Sequence, residues 1–222
     1  MTLVHVVRPP AAPPATPSAR PPLAILLHGL GADEQDLFGL APFLDPRLLV
    51  VSVRAPHEAQ PMGYSWFDID WSESPPRIDF QHVVESRDAI LRFVGDAART
   101  HGGDPTRAWL VGFSQGASMA TACALAHPEM LRGIVAHSGR VTRRAVPSLP
   151  GPGLSGFPVL WQHGRADPVV PISFGHEARD LLGTLGLQVD YREYPIGHEI
   201  SEQSLRDLCG WLTRRIDETF EV

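Results

Sequence analysis

Residues 110–120 read LVGFSQGASMA. An apolar run stops at Gly112, one polar side chain stands at Ser114, a second glycine follows at Gly116, and small residues continue. Gly112-Phe113-Ser114-Gln115-Gly116 is a G-x-S-x-G pattern, a serine on a sharp turn between a strand and a helix. The pattern alone is weak, because a chain with 20 glycines in 222 residues carries about 0.1 such matches by chance. Its setting is more specific: it follows a strand-like run and precedes Ala117–Ala126, which is built almost wholly of small residues. A helix that is small on every side is packed against its surroundings.

The turn explains each position. A side chain at 112 or 116 would strike the neighbouring strand or helix, so glycine stands there. The turn forces Ser114 into a strained conformation that lifts its Oγ clear of the sheet. Gln115 opens the helix, and its free N–H points toward whatever Ser114 attacks. The plainer alternative is a serine that merely caps a helix.

Outward from the turn, short apolar runs recur at Leu23–Leu27, Leu48–Val53, Trp109–Phe113, Gly133–Ala136, Val159–Gln162 and Val189–Tyr194. Most are continuous and not alternating, as in strands covered on both faces. Leu3–Val7 reads as a short first strand, joined to the rest by the Pro-rich loop Pro9–Pro22. Between the strands lie segments with helical spacing: Phe80, Val83, Val84, Leu91 and Val94; Phe174, Ala178, Leu181, Leu182 and Leu185; Leu205, Leu208, Cys209, Leu212 and Ile216. Strand–helix alternation predicts one α/β domain over residues 1–222, with a mostly parallel sheet and helices on both faces.

Composition closes off several functions. All 19 basic residues are arginine, so lysine Schiff-base chemistry, pyridoxal phosphate anchoring and a P-loop are excluded. A net charge of −6 argues against nucleic acid as a partner. No apolar run approaches the ~18 residues of a membrane span, and no secretory signal is visible. The expected location is the cytoplasm. Cys123 and Cys209 form no disulfide framework and read as buried, inert thiols.

A serine hydroxyl needs a base to take its proton and an acid to orient that base. In this turn architecture the partners follow in the order serine, acid, histidine. Of the downstream aspartates, Asp180, Asp207 and Asp217 fall in helical segments and Asp190 within a strand, leaving Asp167 in a loop just past a strand. Of the histidines, His137 and His163 precede Asp167, His176 lies off its helix's apolar stripe, and His127 ends the helix about 18 Å from Ser114. His198 remains. A developing oxyanion also needs two fixed donors. Gln115 N–H is one, and His28-Gly29-Leu30-Gly31 after Leu27 supplies the other, with Leu30 N–H as the expected donor. His28 itself reads as a structural histidine bonded to nearby backbone.

With these segments placed, the chain resembles the phospholipase/carboxylesterase family of α/β-hydrolases, which includes the acyl-protein thioesterases. LHGLGADEQDLFGLAP (27–42), VGFSQGA (111–117), HGRADPVVP (163–171) and YPIGHEIS (194–201) carry the resemblance, in the family's order and spacing. GADEQD makes it look closer to the bacterial carboxylesterases of the group. The resemblance implies an α/β-hydrolase fold without a large cap domain, Ser114, His198 and Asp167 as a catalytic triad, and Leu30 and Gln115 as oxyanion donors. It also implies hydrolysis of a small-molecule acyl ester with no metal or organic cofactor, and it is compatible with a homodimer. Acyl-protein thioesterase and lysophospholipase activity remain open at this point, as do a serine peptidase and a catalytically silent binding protein.

Two further segments bear on the substrate. PMGYSWFDIDWSESPP (61–76) concentrates Tyr64, Trp66, Phe67 and Trp71, which reads either as a loop lending apolar surface to an acyl pocket or as a satellite core. The pocket reading predicts a shallow site for short to medium acyl chains. Arg140, Arg143 and Arg144 read first as a solvated loop, with attraction of an anionic substrate as the alternative.

Overall fold

The computed structural model describes residues 3–12, 16, 19–74, 76–141 and 152–218. Arg143, Arg144 and parts of the Pro9–Pro22 and 139–158 stretches lie outside them.

Seven strands form the main sheet: β1 (His5–Arg8), β2 (Leu23–Leu27), β3 (Leu49–Val53), β4 (Ala108–Phe113), β5 (Gly133–His137), β6 (Pro158–Gly164) and β7 (Gln188–Tyr194). Their spatial order is β1-β3-β2-β4-β5-β6-β7. β1 pairs antiparallel with β3, and every other neighbouring pair in the sheet is parallel. The first strand therefore starts two residues later than the apolar run Leu3–Val7 suggests, and it occupies an edge, where a half-buried strand is at home.

Successive residues of each central strand feed two different cores. Leu23, Ile25, Leu27, Leu110, Ile134 and Trp161 face one layer, which contains helices α1 (Phe80–His101), α2 (Gln115–Ala126) and α3 (Ile172–Thr184). Ala24, Leu26, Trp109, Val111, Val135 and Leu160 face the other, closed by α4 (Glu202–Glu218) and the 3-10 turn Leu37–Phe43. Both faces are covered, which is why the strand sequences do not alternate. The stripe Leu208, Trp211, Leu212 and Ile216 of α4 is buried, each side chain contributing roughly 1.5–3 kcal/mol.

Local signals set the helix ends. Asp79 caps α1, its carboxylate accepting from the N–H groups of Gln81 and His82, and Gly102 ends it at φ 77°. α2 is buried at every residue from Gln115 to Leu125, so only small side chains fit between sheet and α1. Ahead of α1 the chain makes two short antiparallel ribbons, His57–Glu58 with Tyr64–Ser65 and Ile69–Asp70 with Arg77–Ile78. They hold the aromatic segment beside the carboxyl ends of the strands, where loops after β2, β4, β5, β6 and β7 also gather.

Candidate active site

The site is built from the turn after β4. Ser114 sits at φ 55° and ψ −116°, a strained conformation for a side chain with a Cβ. A Cβ on Gly112 would stand 2.2 Å from the Gly116 carbonyl oxygen, and one on Gly116 would stand 1.9 Å from the Leu27 oxygen. Backbone meets backbone at both positions, so no larger residue is admitted.

Ser114 Oγ lies 2.9 Å from His198 Nε2, and His198 Nδ1 lies 2.7 Å from Asp167 Oδ2. The three groups proposed from chain order thus form one continuous hydrogen-bonded line. The other carboxylate oxygen of Asp167 accepts from Val169 N–H at 2.9 Å and Val170 N–H at 2.8 Å. Burial alone would raise the Asp167 pKa, but the bonds from His198, Val170 and Val169 outweigh it and leave the group below its ordinary value. An ionised, fixed carboxylate holds Nδ1 of His198 as the protonated nitrogen and leaves Nε2 to accept from Ser114.

Three more histidines surround this line, each kept neutral. Burial pushes the His137 imidazole down to about 4, and its Nε2 donates to the Glu199 carbonyl at 2.8 Å, anchoring the residue next to His198. His163 is lowered by burial and donates through Nε2 to the Val170 carbonyl at 2.8 Å. His28 is lowered by burial as well. Its Nδ1 lies 2.7 Å from the Gly29 carbonyl, and its Nε2 accepts from Ala55 N–H at 3.0 Å. That is the structural role its sequence suggests. Cys123 is fully buried and its thiol is pushed up by burial, as expected of an inert cysteine.

Ser114 opens onto a cavity of about 260 Å³. Leu30 and Gln115 line it next to Ser114, and neither backbone N–H makes a hydrogen bond among the described residues. Gly29, Phe113, Ser118, Gly139, Val169, Val170 and His198 line it as well. Phe67, Ile69, Trp71 and Ile78, from the segment before α1, supply an apolar wall.

The aromatic segment therefore divides, which corrects the reading of its four rings as one surface. Phe67 and Trp71 reach the cavity, and Trp71 is 65% exposed. Trp66 turns the other way and is wholly buried, its Nε1 donating to the His28 carbonyl at 2.9 Å. Tyr64 lies under the Arg54 guanidinium, 4.5 Å from ring centroid to Cζ, and its OH accepts from Arg54 Nη1. Hydrogen bonds explain the split. Gln115 Oε1 accepts from Trp66 N–H at 2.9 Å, Gln115 Nε2 donates to the Phe67 carbonyl at 2.7 Å, and Ser86 Oγ donates to the Trp66 carbonyl at 2.6 Å. The backbone is pinned at 66–67, so alternate side chains face core and cavity.

Arg140 is exposed and also belongs to this site. It stands in the cavity rim with its guanidinium 3.9 Å above the Phe174 ring, and its N–H donates to Ser118 Oγ. No spacing signal marks it, because its contacts reach helices α2 and α3, distant in sequence.

Against known proteins, a family model described as Phospholipase/Carboxylesterase matches residues 14–216. The chain belongs to this family. It is a carboxylesterase/phospholipase-type hydrolase, and membership supports hydrolysis of esters or thioesters. A probable carboxylesterase of Oryza sativa subsp. japonica is 32% identical over 209 residues, covering 86% of this chain and 87% of the relative. Acyl-protein thioesterase 1 of Kluyveromyces lactis is 29% identical over 158 residues, 68% of this chain and 69% of its own. The crystal structure of esterase PE8 matches with a TM-score of 0.82 at 29% identity, covering 96% of this chain and 99% of that one. The family and these neighbours carry the α/β-hydrolase fold that the motifs implied. Among the described residues, no helix is long and apolar enough to cross a membrane.

Proposed function

We propose that this family member is a serine esterase acting on small carboxylic esters of short to medium acyl chain, through an acyl-enzyme on Ser114. The observation that carries the reading is the hydrogen-bonded line from Ser114 Oγ through His198 to Asp167. In the first half-reaction His198 Nε2 takes the Ser114 proton as Oγ attacks the ester carbonyl. The negative charge gathering on the carbonyl oxygen is met by the N–H groups of Leu30 and Gln115. His198 then returns the proton to the leaving alkoxide, and the acyl group stays on Oγ. In the second half-reaction a water, deprotonated by His198, attacks the acyl-enzyme, and His198 returns the proton to Ser114 Oγ as the acyl–Oγ bond breaks and the acid leaves. Asp167 keeps the imidazole in the right tautomer and stabilises its cationic form throughout. No step calls for a metal or an organic cofactor, and one domain carries every group involved.

The cavity volume supports the chain-length part of the reading. About 260 Å³ lies below the roughly 300–1,000 Å³ of pockets that enclose drug-sized ligands. The fungal relatives named acyl-protein thioesterase favour a second reading, in which the scissile bond is a thioester. The same groups would serve it, since a thiolate leaves more readily than an alkoxide.

A fluorophosphonate probe labels the parent and not Ser114→Ala if the serine is the nucleophile, and turnover falls by about 10⁶-fold in the variant. Absence of labelling in the parent overturns the reading. A panel of acyl esters, acyl thioesters and lysophospholipids from two to sixteen carbons then sets bond type and length. An optimum at sixteen carbons rejects the short-to-medium assignment.

A further inference from the structure

Away from the cavity, the first turn of α1 and the ribbon before it bring three metal-ligating side chains together. His57 lies on the ribbon His57–Glu58, while His82 and Glu85 lie three residues apart on α1 and therefore on one face of it. One ligand atom from each residue falls within 4.8 Å of the other two. The imidazole rings of His57 and His82 stack 4.0 Å apart at 14°.

Hydrogen bonding leaves these rings short of partners. His57 Nε2 and His82 Nδ1 are buried and make no hydrogen bond in the structure. Asp68 Oδ2 lies 3.5 Å from His82 Nδ1, close enough for charge attraction but not bonded to it as a hydrogen bond. A buried polar nitrogen without a partner is costly, and here one stacked pair of rings holds two of them. The contrast with the other close histidine pair is informative: His5 and His101 place their Nε2 atoms 3.0 Å apart and satisfy each other directly.

We propose that His57, His82 and Glu85 form a site for a divalent transition-metal ion of the zinc class. Two neutral imidazoles and a carboxylate are a borderline donor set that suits zinc, cobalt or nickel and not the all-oxygen preference of calcium or magnesium. Binding, with the two rings turned out of their stack so that their in-plane lone pairs converge on one ion, would supply the electron-pair acceptor that both orphaned nitrogens lack. Asp68 stands beside His82 as a further carboxylate, able to ligate or to accept from a bound water.

The position gives the ion a structural task. His57 opens the segment that runs through Phe67, Ile69, Trp71 and Ile78 to Asp79, and those four apolar residues line the cavity. Asp79 in turn caps α1. An ion held by His57, His82 and Glu85 would tie the start of that wall to the helix at its end. None of the three ligands lines the cavity, so the ion takes no part in the ester chemistry, and the proposal stands independently of it.

Isothermal titration of the full chain with zinc chloride tests this, alongside His82→Asn and the exposed-side variant Glu85→Gln. The expected result is one ion per chain for the parent, at least about tenfold weaker binding in each variant, and a melting temperature that rises with zinc only in the parent. Cobalt(II) gives an independent signature, its visible d–d absorption changing on binding to the parent and not to the variants. If His82→Asn fails to fold, Glu85→Gln carries the decision, because Glu85 is exposed. No binding to the parent, or unchanged binding in the folded variants, overturns the proposal.

Discussion

The serine turn and the aromatic segment face each other across one cavity, yet they are held in opposite ways. The turn is held by backbone against backbone: Gly112 and Gly116 sit where any Cβ would come within about 2 Å of a carbonyl oxygen. The aromatic segment is held by side chains reaching from afar, with Gln115 bonding to Trp66 and Phe67 across 49 and 48 residues. A region fixed by sterics writes itself into a short motif, whereas one fixed by distant side chains does not.

The sharpest way to break this contrast is Gly116→Ala. The added methyl would stand 1.9 Å from the Leu27 oxygen, with no flexible side chain to yield. We expect no folded protein, a cost above the ~3 kcal/mol of ordinary overpacking. A circular-dichroism melt resembling that of the parent would show that the turn has slack. Next comes Trp66→Ala, which empties a fully buried site and strips a hydrogen bond from the His28 carbonyl. A loss of about 3–5 kcal/mol in urea unfolding is expected, marking Trp66 as core rather than cavity wall.

The third test concerns pH. Burial holds His137 near 4 in the folded chain, below its ordinary 6.5. Between those values the unfolded chain binds more protons than the folded one, so stability rises with pH across the window and is lost as pH falls through it. His137 contributes a slope of up to about 1.4 kcal/mol per pH unit, and the buried His28 and His163 act with the same sign. Urea melts at steps between pH 6.5 and 4 should therefore show declining midpoints, with a shallower decline in His137→Gln. A flat profile for the parent would contradict the neutral assignment. The smallest effect is expected from Trp71→Ala at the exposed end of the aromatic segment. Stability should stay within ~0.5 kcal/mol, while the preference between butyrate and octanoate esters narrows a few-fold. An unchanged preference removes Trp71 from the acyl wall.

Most of the frame was legible from the chain alone. Continuous apolar runs mark strands covered on both faces, and they fall within one or two residues of β2 to β7. Asp167 and His198 are legible because only they satisfy both chain order and loop position. Of the two proposed oxyanion donors, Gln115 follows from the turn itself and Leu30 from the glycine-rich loop after β2. What the sequence hides is which face each aromatic presents and that Arg140 stands in the rim. Those outcomes depend on Gln115, Ser86 and Phe174 meeting residues far along the chain. The ribbons around 57–78 are equally silent, since two-residue strands carry no periodicity.

One residue spans the two regions. Gln115 offers its backbone N–H beside Ser114 and its side-chain amide to the chain at Trp66 and Phe67. On the proposed mechanism, a push on the wall by a longer acyl chain would be passed through this side-chain amide to the N–H proposed to polarise the carbonyl. Kinetically, acyl length should register in kcat as well as in KM, and the two constants would not be tunable separately without cutting that link.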